Sequence, residues 1–109
     1  MRENRIDFFK NASGAAESGV MPINKANTLT IEVSGTGTFS IEVLATVGVS
    51  QESFSALQGI RLNDFSVVSA ISTTGIYEYD VTGISKVKVN LASMSGGNIT
   101  VTGVSRGDY

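Results

Sequence analysis

Between Tyr77 and Gly103 the chain reads YEYDVTGISKVKVNLASMSGGNITVTG, and apolar residues return at every second position. Tyr77, Tyr79 and Val81 come first, then Val87, Val89 and Leu91, then Ile99 and Val101. A period of two belongs to an extended strand, whose side chains alternate between two faces, so each run buries one face and wets the other. VTGIS and SMSGGN interrupt the period, and Gly96 and Gly97 give the backbone the freedom to reverse. The same pattern governs an earlier stretch. Leu29, Ile31 and Val33 alternate with Thr28, Thr30 and Glu32, and Phe39, Ile41, Val43, Ala45 and Val47 alternate with Ser40, Glu42 and Leu44. With Ser34–Gly37 between them, these two runs read as an antiparallel hairpin. Strands with one wet face build antiparallel sheets that are solvated on one side. The predicted fold is therefore an all-β antiparallel β-sandwich, jelly-roll or immunoglobulin-like, of about seven or eight short strands.

Two segments depart from this pattern. In GVSQESFSALQGIRLNDFSVVSAISTTG, Phe54 with Ala56, Ile60 with Leu62, and Ser66–Ser72 are expected to form short strands at the rims, with loops over an open end as the alternative. Residues 1–25 read as an N-terminal arm or anchor before a β-sandwich domain at 26–109. NASGAAESG is too small and polar to fold by itself, yet Ile6, Phe8 and Phe9 stand just before it. This apolar cluster is the suspected interface. It is expected either to dock on its own domain or to insert into a neighbouring subunit, with a short helix over residues 3–10 as a third option.

With 109 residues there is room for one domain. The chain contains neither Cys nor His. Disulfide scaffolds, thiolate nucleophiles, thiolate metal sites and His-based triads are thereby excluded, and carboxylate chemistry is what remains. Eight basic and ten acidic residues, spread along the chain, leave a net charge of -2 and no long-range field for nucleic acid or an anionic membrane. The N-terminal apolar run, Ile6 to Phe9 broken by Asp7, is too short for a secretory signal, and no segment has the length of a membrane span. The expectation is a soluble chain without nucleic-acid or membrane partners.

Glu78 and Asp80 share one face of a strand, the spacing of a carboxylate pair, but Lys86 and Lys88 on the following strand read as their cross-strand charge complement. Asn63 and Asp64 in LNDF fit a turn cap better than a calcium loop, for which no ligand spacing is present. Tyr77 and Tyr79 are candidate ligand contacts if exposed, whereas their register with Val81 favours core or rim. Gly35 and Gly37 precede a strand, not a helix, so no phosphate loop is formed. No catalytic, cofactor-binding or metal-ligating residue is assigned.

The order TTGIY, YDVTGISKVKVNL and SGGNITVTG, within Gly75–Gly103, resembles small β-sandwich modules of tailed-bacteriophage virions. Such modules occur as capsid decoration or head-fibre subunits and within tail and baseplate proteins. The resemblance implies a non-enzymatic virion protein, assembled in the host cytoplasm without a signal peptide, whose partners are capsid or other virion proteins. Attachment through residues 1–25 as a homo-oligomer, for instance a trimer, completes this expectation. Its alternative is a tail or baseplate module binding a host-surface glycan or protein.

Overall fold

The computed structural model describes residues 2–23, 25–48 and 53–107. Its strands are β1 (Arg2–Ala12), β2 (Ala16–Glu17), β3 (Met21–Pro22), β4 (Thr28–Gly35), β5 (Thr38–Thr46), β6 (Ser55–Ala56), β7 (Gly59–Arg61), β8 (Ser66–Val68), β9 (Gly75–Asp80), β10 (Lys86–Ser95) and β11 (Ile99–Gly107). β2, β3 and β6 are two residues long, and the other eight carry the architecture. Six strands form one sheet in the order β1-β11-β4-β9-β7-β8, and the second sheet runs β2-β10-β5-β6, with β3 also on β10. Every pairing is antiparallel. The predicted all-β sandwich is thus the observed architecture.

The alternating runs place their apolar residues as their period dictates. Leu29, Ile31, Val33, Ile41, Val43, Tyr77, Tyr79, Val81, Val87, Val89, Leu91, Ile99 and Val101 are all buried in one cluster between the sheets. Val47 is the exception: it lies past the end of β5 and is 69% exposed.

The connections differ from those predicted. β4 and β5 are not a hairpin: β4 pairs with β11 and β9, while β5 crosses to the other sheet and pairs with β10. β10 and β11 are likewise split between the two sheets. Alternation cannot distinguish a hairpin from such an arch, because both bury the same side chains; the close approach of the two turns makes the difference. Thr36 N–H donates to the Asn98 carbonyl at 2.9 Å, which joins the β4–β5 arch to the β10–β11 arch. A Cβ on Gly35, at φ 124°, would strike that same carbonyl, and one on Gly97 would strike Thr36. Glycine is required at both positions for the arches to lie side by side.

The described part of residues 1–25 docks on the chain's own domain, one of the alternatives left open by the sequence. Residues 2–12 are an edge strand of the six-stranded sheet, in register with β11 from Arg2↔Gly107 to Ala12↔Ile99. The chain then crosses to the second sheet, where β2 and β3 run along β10. No helix forms over residues 3–10. An antiparallel partner satisfies a strand's backbone groups where a short free helix cannot hold itself together.

Gly35→Ala combines a strained φ with a backbone clash and is expected to destabilise the fold by roughly 1 to 3 kcal/mol. Gly14→Ala, with nothing within 4 Å of the added carbon, should stay within about 0.5 kcal/mol of wild type. Urea unfolding midpoints of the two variants check this contrast.

Candidate functional site

The residues singled out for interaction fall into two groups. Phe8 and Phe9 are consecutive, so in a regular strand they would point to opposite faces. The register steps from Asp7↔Thr102 to Phe9↔Val101, leaving Phe8 as an extra residue in β1. Such a bulge lets both rings turn inward. They are 7% and 9% exposed, and the Phe8 ring occupies the space that a Cβ on Gly103 would need. Of the two dockings left open by the sequence, the structure shows the one on the chain's own domain. As free interface residues Phe8 and Phe9 are therefore withdrawn, because their apolar area is already buried. Ile6 differs: it packs against the core only in part.

Tyr77 and Tyr79 are 1% and 2% exposed, which overturns their reading as ligand contacts. The Tyr77 hydroxyl donates to the Thr73 carbonyl at 2.8 Å, so its polar end is satisfied inside the protein. The Tyr79 ring lies against Gly59, and burial, with a smaller contribution from neighbouring Tyr77, raises its pKa well above the ordinary tyrosine value.

The polar candidates do not converge. Glu78 and Asp80 are exposed on β9, and Asp80 Oδ1 accepts the Thr82 N–H at 3.0 Å, a turn cap whose hydrogen bonds lower its pKa. Lys86 and Lys88 lie on β10 in the other sheet, so the expected cross-strand complement to Glu78 and Asp80 is not formed. Lys88 instead reaches Glu17 at 3.5 Å and sits 4.5 Å from the centre of the Phe54 ring. Asp64 caps its own turn: Oδ1 accepts from Ser66 N–H at 3.1 Å and Ser66 Oγ at 2.8 Å, and these bonds lower its pKa. Asn90 lies in the second sheet, where it donates to Glu42 at 3.3 Å. Among the described residues no three acidic side chains gather as a metal would require, and no helix is long and apolar enough to cross a membrane.

A cleft of about 420 Å³ at one end of the second sheet is lined by Ala45, Val47, Leu57 and Ile84, with the hydroxyls of Thr46 and Ser55. None of the described residues that line it is ionisable. Those residues can hold an apolar group and include no acid–base pair.

Two further surface features lie at the sheet edges. At one end of the six-stranded sheet, β8 leaves Phe65, Val67 and Ile60 76%, 66% and 42% exposed. At the other end, a groove of about 290 Å³ runs between β1 and β3, lined by Asn4, Arg5, Ile6, Met21 and Pro22. The exposure of Phe65 was not legible in LNDF, because a pattern read for burial marks apolar residues as core.

The fold and these edges define a small antiparallel β-sandwich module. The chain belongs to the XepA family, whose profile matches residues 3–105. It is 25% identical over 99 residues to the phage-like element PBSX protein XepA of Bacillus subtilis (strain 168), covering 90% of this chain and 35% of that protein. The chain thus spans about a third of that relative's length. The crystal structure of the SPBc2 prophage-derived protein YomS superposes with a TM-score of 0.85 at 24% identity, over 95% of this chain and 92% of YomS. That of the PBSX exported protein XepA superposes with a TM-score of 0.89 at 23% identity, over 95% of this chain and 37% of XepA. The phage association expected from Gly75–Gly103 is therefore upheld at the level of the family.

The buried Tyr79 makes stability sensitive to base. An unfolded tyrosine ionises near pH 10, whereas folded Tyr79 holds its proton to higher pH. Above about pH 10 the unfolded state binds fewer protons than the folded one, so stability falls as pH rises. Denaturant midpoints between pH 8 and about 11.5 should fall less steeply for Tyr79→Phe than for wild type.

Proposed function

We propose that this chain is a non-enzymatic structural module of a phage or phage-like element that works by placing a rigid sandwich on a particle, as a capsid decoration or head-fibre subunit. The observation that carries this reading is membership of the XepA family in a chain whose aromatic residues are mostly committed to its own core. Phe8, Phe9, Phe39, Tyr77 and Tyr79 all lie between the sheets. Capsid or other virion proteins are the partners in this reading, and several copies of the chain act together.

A second reading is favoured by one relative, PBSX XepA, which is described as an exported protein. In that reading the module acts apart from the particle, outside the cell that makes it. A tail module gripping a glycan has less support, since burial of Tyr77 and Tyr79 removes the aromatic platform on which a sugar would stack.

The two readings separate in one experiment. Particles from an induced culture are purified through a density gradient, and the chain is quantified by mass spectrometry in particle, cell and medium fractions. The decoration reading expects the chain to stay with the particles at a fixed ratio to the major capsid protein. Recovery in the medium, with none on particles, contradicts it and supports the exported reading.

A further inference from the structure

The outer face of the six-stranded sheet carries an apolar patch over β4, β9, β7 and β8. Tyr77 and Tyr79 point into the core, so Ile76, Glu78 and Asp80 point outward, and the register places their neighbours. Glu78 stands opposite Ile60, Ile60 opposite Val67, and Ile76 opposite Glu32. Ile60, Val67 and Ile76 are all exposed, and they make up half of the six large apolar side chains exposed among the described residues. Phe65 adjoins them at the β7–β8 turn, with φ at 59°, a backbone conformation that bulky residues avoid. Single apolar residues at a surface mean little, but a contiguous group marks a contact.

The charges interleaved with this group have one sign. Glu32 and Glu78 make no side-chain hydrogen bond or ion pair with any described residue. Asp80 is engaged in the cap to Thr82, whose hydrogen bonds hold its carboxyl below the usual carboxylate range. No basic side chain on this part of the face answers them. Arg61 is the one basic residue within these four strands; it stands opposite the inward Tyr77 and lies 3.9 Å from Asp64. Arg5 is two strands away from Glu32, across a trough of about 180 Å³ lined by Thr30, Ile76, Thr102 and Val104.

This combination selects the partner. A purely apolar surface set on Ile60, Val67 and Ile76 would strip water from the carboxylates without supplying counter-charges, at a cost that offsets the apolar contact. The phosphates of a nucleic acid or an anionic lipid would meet the same carboxylates with like charge. A second copy set face to face would do so too, and the lysines of its other sheet are already engaged, Lys88 by Glu17 and Phe54. A protein segment that alternates Lys or Arg with branched apolar side chains satisfies both halves of the patch. We propose that the outer face of β4, β9 and β7 docks a basic, apolar segment of a different protein, with Ile60, Val67 and Ile76 in the apolar contact and Glu32, Glu78 and Asp80 pairing its cations. This deepens the structural-module reading above by giving the chemistry of its partner and rests on that reading, but the contact itself needs no particle.

The test is an amide chemical-shift titration of the full chain with an end-blocked peptide of alternating lysine and valine. One control peptide has glutamate in place of lysine, and the other has serine in place of valine. The lysine–valine peptide should shift the amides of β4, β9 and β7, with an affinity that falls as salt rises, and each control should bind at least about tenfold more weakly. Ile76→Thr keeps a β-branched residue in the strand and should weaken the peptide about threefold or more. Glu78→Lys should weaken it about fivefold or more. Val20→Thr, at an exposed apolar residue outside the patch, should leave the affinity unchanged. No shifts with the lysine–valine peptide, equal binding of the controls, or unchanged affinity in Ile76→Thr and Glu78→Lys would each overturn the proposal. Shifts of the same amides with anionic-lipid vesicles, or with rising concentration of the chain itself, and none with the peptide, would assign the face to a membrane or a second copy and overturn it equally. Peptide binding by a chain that is absent from particles would keep this contact and remove the decoration reading, whereas a chain that purifies with particles and ignores the peptide would lose this contact alone.

Discussion

The sandwich depends on how the Phe8 ring is seated over Gly103. That contact needs a bulge in β1, so that Phe8 and Phe9 both turn inward, and a partner strand with no side chain in the way. When both conditions hold, β1 closes one edge of the core, and its aromatic rings join the cluster built from β4, β5, β9, β10 and β11. Burying two such rings contributes several kcal/mol, at about 1.5 to 3 each before ordering costs. This is enough to turn a polar, spacer-containing N-terminal segment into a wall of the domain.

The arches complete the enclosure from the side. Because β4–β5 and β10–β11 pass between the sheets and not within one, every long strand finds two roles: a hydrogen-bonded ladder in its own sheet and an apolar face against the other. The arrangement leaves few long open edges. β2, β3, β6 and β8 have two or three residues each. β1 is the long edge among the described strands, and it carries Glu3, Arg5, Asp7 and Lys10 together with its bulges, features that discourage unspecific strand addition.

Most of the core was legible because burial repeats with the strand period. Tyr77, Val87, Leu91 and Val101 faced inward as alternation required, and the charge complement of Glu78 and Asp80 failed only because alternation is silent on which sheet a strand joins. Three particulars escaped for physical reasons. The arches depend on the backbone approach of Gly35 to Asn98, which is a contact between turns distant in sequence. The docking of residues 2–12 depends on a bulge, and two adjacent aromatics interrupt the very alternation by which a strand is recognised. Phe65 escaped because its exposure follows from a left-handed turn position that composition does not reveal. Absence of His and Cys, by contrast, narrowed the chemistry before any fold was considered.

The central claim is that β1 is an integral part of the core and not a detachable arm. Native-state amide hydrogen exchange of the full chain tests it most directly, by comparing the amides of β1 that pair with β11 against those of β4 that pair with β11. The account predicts that β1 amides around Ile6–Phe9 exchange only through the same global opening as β4, with matching free energies. Exchange of β1 orders of magnitude faster than β4, under conditions where β4 stays protected, would contradict it.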